Sequence, residues 1–465
     1  MKLKTLFFLL LAVGLSLRLK SQSVDWALSS NSSSFEIFYD TVVDEEAGQI
    51  YTVGSISDAD GFDFIISDAD GAESFSADET IRGGREGVLL VTDLDGNSLW
   101  SVVLSSNNDD AITGVDTTPE GDVLVTGYFE HGNAKLYTSS GQYSLSQNDD
   151  DDESDAFYAR FSLEGELLAA KSFGSDDHQL GIDIKAASDA YYVLVESDVS
   201  SSDTPSRILL KIDDGDNIEW QADIHKTNSF SADETLSEVA CLAVEDDVVY
   251  VFGSYPDLLF SYTDGAGNGH DYAWSNLESQ LDLFVLAMNA DGSEKWAHGI
   301  EQGSDLTYGF GMDADCNGLY LTGAAHAGFF SPLYFPGGLF LNDFDHDNIW
   351  VAGLDLESGE ANWVNALYTN GSDHGDIGFG LSAGNNGNVY ITGVHESDIF
   401  ADGLQLTHNQ GQDLFVASLD YTGEVQSMLS IQSQDNDVGC AVDSYAGNKL
   451  VVAGLGGSNL VLGSG

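Results

Sequence analysis

An internal repeat constrains this sequence more than any other feature. Its clearest mark is a short apolar segment that ends in glycine, such as Ile50-Tyr51-Thr52-Val53-Gly54 or Val389-Tyr390-Ile391-Thr392-Gly393. The period is about 67 residues, which predicts a repeat architecture in which each unit is one small group of strands. The third copy is degenerate, and the units end near Gly54, Gly127, Glu196, Gly253, Gly323, Gly393 and Gly454.

A second marker precedes most of these segments. It is an apolar run followed by an acidic residue, a turn glycine and a tryptophan, as in Asp95-Gly96 with Trp100 and Asp291-Gly292 with Trp296. Asp-Gly between two apolar runs is typical of a β-hairpin, because glycine adopts positive φ without strain. Each unit therefore supplies about four strands. We predict an all-β chain: a seven-bladed β-propeller of four-stranded antiparallel blades over residues 22–465.

The first unit lacks its opening strand, since Val24-Asp25-Trp26 begins at the tryptophan strand. A radial fold closes when the other end of the chain supplies the missing strand. Leu460-Val461-Leu462 is the segment that we expect to do so.

Residues 1–21 have the pattern of a secretory signal peptide. Lys2 and Lys4 precede an apolar run that is shorter than a membrane span of roughly twenty residues. Arg18 and Lys20 follow the run, so an uncleaved anchor remains an alternative. The expected location is secreted or on the extracellular cell surface, without an integral membrane span in the mature chain.

The chain is strongly acidic, with 77 Asp and Glu against 15 Lys and Arg and a net charge of −62. Phosphate backbones would be repelled, so nucleic acid is excluded as a partner. Two interpretations of the acidity stay open: adaptation to saline surroundings and specific cation binding. The cysteines (Cys241, Cys316 and Cys440) are widely separated, and we expect small core residues at Cys241 and Cys440 rather than a disulfide.

The repeat resembles the SBBP family of bacterial repeats, which are associated with seven-bladed β-propellers. The segments Asp413-Leu414-Phe415-Val416-Ala417-Ser418-Leu419-Asp420 and Gly387-Asn388-Val389-Tyr390-Ile391-Thr392-Gly393 carry the resemblance, which spans residues 24–454. It implies a secreted or surface-exposed bacterial propeller and carries over no catalytic residues. The third unit departs most, with Glu196 at the position expected for the glycine.

The spacing from Ala352 through Asp355 and Gly359 to Trp363 looks like the tryptophan-docking motif of quinoprotein propellers. Those enzymes hold pyrroloquinoline quinone, usually beside a vicinal disulfide and calcium. No Cys-Cys pair exists here, so we expect Trp363 to be a packing residue between blades rather than part of a cofactor site.

Two groups of acidic residues are candidate calcium ligands, because calcium prefers hard oxygen ligands. Asp58, Asp60 and Asp63 alternate as in part of a calcium loop, but the distal glutamate of an EF-hand is missing. Asp176, Asp177 and Asp373 belong to short acidic loops that recur before the third strand of successive units, which would place them on one rim. The alternative is a solvated turn stabilised by local Asp and Asn contacts.

The leading function is a non-enzymatic binding or adhesion scaffold, monomeric, with rim loops that contact glycan or protein. No nucleophile elbow, phosphate loop or dinucleotide fingerprint appears in the sequence. Two alternatives stay open: a carbohydrate-active hydrolase or lyase that uses channel carboxylates, and a structural module of a larger surface assembly. No cofactor other than calcium is expected.

Overall fold

The structure is a computed structural model of the 465-residue chain. It describes residues 29–30, 36–57, 65–67, 73–76, 84–147, 153–174, 178–197, 206–225, 240–255, 260–274, 282–302, 307–325, 332–342, 348–369, 375–408, 411–432, 436–447, 449–455 and 461–463. Within these ranges the regular elements are β-strands and one short 3-10 turn at Pro336–Gly338, in agreement with the predicted all-β class. No helix in the described ranges is long and apolar enough to cross a membrane.

The strands of the first half are, in chain order, β1 (Ser29–Ser30), β2 (Glu36–Asp44), β3 (Gln49–Ser57), β4 (Ile65–Ser67), β5 (Glu73–Ser76), β6 (Arg85–Asp93), β7 (Ser98–Ser105), β8 (Asp110–Thr117), β9 (Val123–Glu130), β10 (Ala134–Thr138), β11 (Gly141–Leu145), β12 (Ser154–Phe161), β13 (Leu167–Phe173), β14 (Gln179–Ala186), β15 (Ala190–Ser197), β16 (Ser206–Asp213), β17 (Ile218–His225), β18 (Ala240–Glu245) and β19 (Val248–Tyr255).

The strands of the second half are β20 (Phe260–Thr263), β21 (Gly269–Tyr272), β22 (Asp282–Met288), β23 (Glu294–Gln302), β24 (Thr307–Asp315), β25 (Gly318–Ala325), β26 (Leu333–Tyr334), β27 (Phe340–Leu341), β28 (Asn348–Leu354), β29 (Ala361–Thr369), β30 (Ile377–Ala383), β31 (Asn388–His395), β32 (Ile399–Ala401), β33 (Leu404–Leu406), β34 (Asp413–Asp420), β35 (Val425–Gln432), β36 (Val438–Tyr445), β37 (Lys449–Leu455) and β38 (Val461–Gly463).

These strands form antiparallel sheets that follow one another along the chain. In each sheet we call the strand that comes first in the chain the innermost strand. Starting from that strand, the first six sheets are β2-β3-β6-β7-β10-β11, β8-β9-β12-β13, β14-β15-β16-β17-β20-β21, β18-β19-β22-β23-β26-β27, β24-β25-β28-β29-β32-β33 and β30-β31-β34-β35-β38. The seventh sheet contains β36 and β37, and a small separate sheet contains β1, β4 and β5. The sheets that begin with β2, β8, β14, β18, β24, β30 and β36 are numbered first to seventh below, and the small separate sheet is not numbered.

The predicted set of four strands is present in each of the first six sheets, but four is the full count only in the second sheet. In the others, one or two outer strands are added beyond the fourth strand. Most of these outer strands come from the connection between the second and third strands of the following sheet. For example, β10 and β11 lie between β9 and β12 in the chain, but β10 pairs with β7 of the first sheet and β11 pairs with β10.

The expectation that the C-terminal segment supplies the missing strand of the first unit is wrong. The described part of that segment, β38, pairs with β35 and becomes the fifth strand of the sixth sheet. This is the position that β10, β20, β26 and β32 occupy on earlier sheets, so the segment follows the same rule as the other outer strands.

The strand-ending glycine has a steric cause. The innermost strand usually carries a β-bulge opposite this position, and the bulge pushes a backbone carbonyl against the glycine. A Cβ on Gly393 would lie 1.9 Å from the carbonyl oxygen of Ile377, and one on Gly454 would lie 2.0 Å from that of Val438. Only glycine fits such an approach.

The strand register corrects the predicted end of the degenerate third unit. The residue that occupies the glycine position is Val195, paired with Ile208, and not Glu196. In four other sheets the glycine faces a large ring, as in Gly323 opposite Trp350. Two medium side chains thus replace a glycine and an aromatic ring, which conserves core volume.

The tryptophans of the second marker join neighbouring sheets. Each indole Nε1 donates a hydrogen bond to a backbone carbonyl in the hairpin turn of the next sheet. The rings of Trp100, Trp296 and Trp363 pack on the glycine of that turn, whereas the ring of Trp220 packs on Gly265. The acceptors are Leu163 for Trp100 (3.0 Å), Ala290 for Trp220 (3.0 Å), Leu356 for Trp296 (3.1 Å) and Tyr421 for Trp363 (2.9 Å). The predicted packing role of Trp363 is confirmed.

The second sheet lacks this tryptophan and uses an ion pair instead. Arg160 Nη2 lies 3.0 Å from Asp216 Oδ2 in the turn of the third sheet, and the hydroxyl of Tyr191 donates to Asp216 Oδ1 at 2.7 Å. The junction between the second and third sheets is therefore polar, whereas the four junctions above are aromatic.

The hydrophobic core lies between sheets rather than in one central mass. Its clusters join consecutive sheets, including one that connects Ile50 of the first sheet with Tyr445 and Val451 of the seventh. The innermost strands contact one another in succession: β2 with β8, β8 with β14, β14 with β18, β18 with β24, β24 with β30, β30 with β36, and β36 with β2.

Candidate functional site

The innermost strands carry a recurring aspartate near their centre or C-terminal half. We call these residues the clamp aspartates: Asp40 on β2, Asp116 on β8, Asp183 on β14, Asp313 on β24 and Asp443 on β36. Strand pairing places them in two rows. Asp40 and Asp183 occupy the first row, directly after the bulge, and the other three lie two residues further along.

Each clamp aspartate bonds two strands together. One carboxylate oxygen accepts a hydrogen bond from the next amide of its own strand, and the other accepts one from the innermost strand of the next sheet. For Asp116 the two donors are the amides of Thr117 and Ala186, both at 2.8 Å. The inter-strand donors for the others are Val115 to Asp40 (3.1 Å), Leu242 to Asp183 (2.8 Å), Ala383 to Asp313 (2.8 Å) and Val43 to Asp443 (2.7 Å).

Two junctions differ. Between β30 and β36, the hydroxyl of Ser382 donates to Asp443 Oδ1 at 3.0 Å. Between β18 and β24, Cys241 and Ala243 stand in the two rows where other strands place an aspartate. Among the described residues, this is the junction without a side-chain clamp.

Lys185 places a positive charge among the clamp aspartates. It lies on β14 in the second row, and its Nζ is 3.8 Å from Asp183 Oδ1 and 4.0 Å from Asp40 Oδ2. Burial would lower the pKa of Lys185, but the charges of Asp183, Asp40, Asp116 and Asp313 outweigh it and raise that pKa well above its usual value. Lys185 is therefore a permanent counter-ion and is unsuited to act as a base or nucleophile at neutral pH.

Four of the clamp aspartates have raised pKa values. Burial raises the pKa of Asp183 and of Asp313 to about 6, and the pKa of Asp443 to about 7. Lys185 limits the rise at Asp183 and Asp313. The pKa of Asp116 is also raised by burial.

A cavity of about 720 Å³ opens where several innermost strands end. We call it the acidic funnel, because Asp44, Glu45, Glu46 and Glu120 line it together with the clamp residues Asp116 and Asp443. Both oxygens of Asp116 and of Asp443 are already bonded to backbone amides. The funnel therefore offers a negative field but, at these two positions, no uncommitted carboxylate oxygen.

The predicted calcium ligands cannot be placed. Asp58, Asp60, Asp63, Asp176, Asp177 and Asp373 lie outside the described residues. Within the described ranges, no three His, Cys, Asp or Glu side chains meet in an arrangement that could hold a metal ion. Calcium binding stays a prediction.

Two buried aspartates at the beginning of innermost strands, Asp110 on β8 and Asp376 just before β30, have structural roles. Asp110 is fully buried and accepts hydrogen bonds from the amide and hydroxyl of Ser106 and from the amide of Glu130. Burial raises its pKa to about 8. Asp376 is also fully buried and accepts from the amide of Glu396 at 2.8 Å. These carboxyls tie the strand ends together instead of facing solvent.

The outer hairpin β26–β27 exposes an apolar patch, which we call the aromatic hairpin. Tyr334 and Phe340 face each other across the hairpin with ring centroids 5.9 Å apart, and they are 48% and 50% exposed. Leu339, beside them, is 36% exposed. Exposed apolar side chains in contact often mark a binding surface. Sequence analysis missed this hairpin because its strands have only two residues each.

The cysteines are free, as expected. Cys241 and Cys440 are half-buried and Cys316 is exposed. Burial raises the pKa of Cys241 well above its usual value and that of Cys440 to about 12, which leaves both thiols unreactive.

No family model and no curated protein match the chain. One similar solved structure is a crystal structure of a protein of unknown function from Bacteroides caccae, with 10% sequence identity. The match covers 81% of this chain and 93% of that chain at a TM-score of 0.27, which is too low to support an argument about fold or function.

Proposed function

We propose that this chain is a seven-bladed β-propeller of the SBBP type that acts as a non-enzymatic binding or adhesion scaffold at the bacterial cell surface or in the medium. The seven antiparallel sheets and the succession of contacts between their innermost strands, including β36 with β2, support the architecture. In such an arrangement the clamp aspartates line the central channel.

The observation that carries the binding role is the aromatic hairpin. Tyr334 and Phe340 lie on a hairpin shaped by the turn Pro336–Gly338, in which Gly337 and Gly338 both have positive φ. Rigid aromatic rings provide contact area at a low entropic cost, and their faces suit the apolar faces of sugars or a protein side chain. We propose glycan or protein as the ligand class.

The enzyme alternative loses support at the clamp aspartates. A glycoside hydrolase needs two carboxyl groups that are free to reach the scissile bond. The clamp aspartates that line the acidic funnel hold neighbouring strands together instead. The remaining funnel acids, such as Glu45 and Glu120, lie on exposed turns.

The test is a binding screen of the secreted protein against a glycan array and polysaccharide suspensions, at several salt concentrations. The double variant Tyr334→Ala, Phe340→Ala should lose at least about tenfold in affinity for any ligand found, because two exposed rings leave the contact. Tyr421→Ala is the matched control, since that ring is 62% exposed on a different turn.

Retained binding in the double variant would remove the aromatic hairpin as the contact site. Turnover of a polysaccharide by the wild-type protein, abolished by Glu120→Gln, would replace the scaffold with the enzyme. If no ligand binds while the protein still associates with the cell envelope, the role would be that of a structural module.

A further inference from the structure

The two rings of the aromatic hairpin belong to a longer row of side chains across the fourth sheet. Tyr334 lies directly opposite Phe340 on one neighbouring strand and directly opposite Glu301 of β23 on the other. Side chains at directly opposite positions of antiparallel strands share one face of the sheet, with Cβ atoms about 4.5–5.5 Å apart. Glu301 therefore stands beside the Tyr334 ring, on the face where both rings are exposed.

The opposite face of the hairpin is anchored in the core. Leu333, Phe335 and Leu341 are buried in the hydrophobic cluster between the fourth and fifth sheets. The ring of Phe335 packs against that of Trp350, with centroids 5.5 Å apart. Because the backbone is held from behind, the exposed rings form a preformed surface, and a ligand would lose little affinity to ordering them.

The outer hairpins of the third and fifth sheets carry polar or mixed pairs at the equivalent position. This position lies between two buried residues and is held by Ser261 in the third sheet, Tyr334 in the fourth and Phe400 in the fifth. Ser261 faces Asp271 and donates a hydrogen bond to its Oδ1 at 2.7 Å, while Phe400 faces Gln405. The fold does not require two facing rings at this position, which indicates a role outside packing for those of the fourth sheet.

Glu301 adds a hydrogen-bond acceptor to the two rings. Its side chain is half-buried, and among the described residues its carboxylate forms no hydrogen bond or ion pair. Burial and the nearby charge of Asp282 raise the pKa of the Glu301 carboxyl. A partly desolvated carboxylate accepts hydrogen bonds from hydroxyl groups more strongly than one in bulk water.

We propose that Glu301, Tyr334 and Phe340 form a binding subsite for a glycan without negative charge. The apolar face of a sugar ring lies on the two aromatic rings, and hydroxyl groups of the same sugar donate hydrogen bonds to Glu301. The three strands span about 10 Å, which suits one or two sugar rings and is far less than the roughly 800 Å² that each partner buries in a protein interface. Anionic glycans would be repelled by Glu301 and by the net charge of −62. This inference rests on the proposed binding function and narrows its ligand class.

The test is calorimetric titration of the full chain with neutral hexasaccharides of glucose, mannose, xylose and galactose, and with hexagalacturonate as the anionic comparison. We expect saturable binding of at least one neutral hexasaccharide, with similar affinity in moderate and high salt. Glu301→Gln should weaken that binding about tenfold, because charge-assisted hydrogen bonds are lost, and should leave the melting temperature unchanged. Glu424→Gln is the matched control, since Glu424 is exposed on a turn of the sixth sheet.

If Glu301→Gln fails to fold, Glu301→Asp, which withdraws the carboxylate by one methylene, should show the same loss of affinity. Unchanged affinity in the Glu301 variants would overturn the subsite. If the double variant Tyr334→Ala, Phe340→Ala lost binding in that case, the scaffold function would remain. Tighter binding of hexagalacturonate, or binding of a protein alone in the wider screen, would also overturn the subsite and leave the scaffold in place. A wild-type protein that binds no ligand of any class would overturn both proposals.

Discussion

Asp443 accepts a 2.7 Å hydrogen bond from the amide of Val43, a residue 400 positions earlier in the chain. Its other oxygen accepts from the amide of Ser444 at 2.7 Å and from the hydroxyl of Ser382 at 3.0 Å. One side chain therefore holds together the innermost strands of the sixth, seventh and first sheets. Because these contacts join the two ends of the described chain, Asp443 should contribute more to stability than its size suggests.

Titration of Asp443 should make stability pH-dependent. The folded pKa is about 7, and an unfolded aspartate has a pKa of about 3.9. Between these values the folded state keeps a proton that the unfolded chain has released, so stability should fall as pH rises from about 4 to about 7. The variant Asp443→Asn cannot titrate at this position. Its free energy of unfolding, measured with urea at a series of pH values, should therefore fall by roughly 2–4 kcal/mol less over this pH range than that of the wild type.

Asp95→Asn is the control for that experiment, because Asp95 lies on an exposed turn. Its pH profile should match that of the wild type. Identical profiles for Asp443→Asn and the wild type would mean that Asp443 is ionised throughout and that its burial is less costly than inferred.

Removal of Lys185 should destabilise the protein most at low ionic strength. Lys185→Met leaves the clamp aspartates without their counter-ion, while the apolar stem is retained. We expect a loss of about 2–3 kcal/mol, less than for a fully buried pair because 24% of the side chain is exposed. Added salt should recover part of the loss.

Thermal unfolding over a range of sodium chloride concentrations measures this effect. Lys135→Met serves as the control, since the hydrogen bond of Lys135 to Gln142 is exposed. A loss for Lys185→Met that does not change with salt would point to packing rather than charge.

The tryptophan junction between the fifth and sixth sheets should depend on both the ring and the indole N–H. Trp363→Phe removes the 2.9 Å hydrogen bond to Tyr421 and should cost about 1–2 kcal/mol, whereas Trp363→Ala should cost about 3–5 kcal/mol. Gly423→Ala should also destabilise, because Gly423 has φ +86° and a Cβ would lie 2.3 Å from the Trp363 ring. Denaturant unfolding measures the free energy of unfolding of all three variants. Equal losses of stability for Trp363→Phe and Trp363→Ala would show that the aromatic ring contributes nothing.

The strand-ending glycines should tolerate substitution only where the bulge is absent. Gly393→Ala places a Cβ 1.9 Å from the Ile377 carbonyl and should cost several kcal/mol or prevent folding. Gly253 faces β18, which has no bulge, and a Cβ there would meet side-chain atoms of Arg207 and Phe284 at 3.0 Å rather than a backbone carbonyl. Gly253→Ala should therefore be milder. The yield of folded protein and its melting temperature distinguish the two; similar losses would contradict the bulge as the cause.

The sequence predicts those parts of the fold that depend on local chemistry. Asp-Gly turns give the hairpins, and an apolar run that ends in glycine marks the second strand, because both are fixed by backbone conformation or close approach. The role of Trp363 also follows from the sequence, since a large ring at a constant offset from a turn glycine needs a partner in the neighbouring unit.

The rest depends on contacts between distant residues. Strands such as β26 and β32 have two or three residues, too few for a period-two pattern to be recognised. The clamp aspartates alternate between two rows, so no fixed spacing reveals them. Asp443 and Val43 could be paired only once the order of the sheets was known. The error at Glu196 arose because a one-residue register cannot be read from an apolar run.

The repeat and the sheet are out of phase. The stretch from residue 254 to 323 supplies outer strands to the third sheet, the middle of the fourth and the innermost pair of the fifth. Each stretch of sequence between two marker glycines thus contributes strands to as many as three consecutive sheets. A gene duplication that inserts one whole stretch would give every strand a pairing partner of the same kind as before. An insertion or deletion that ends within a stretch would disturb the strand pairing of three sheets at once. Lineages of such proteins should therefore gain or lose whole repeats and seldom fragments of them.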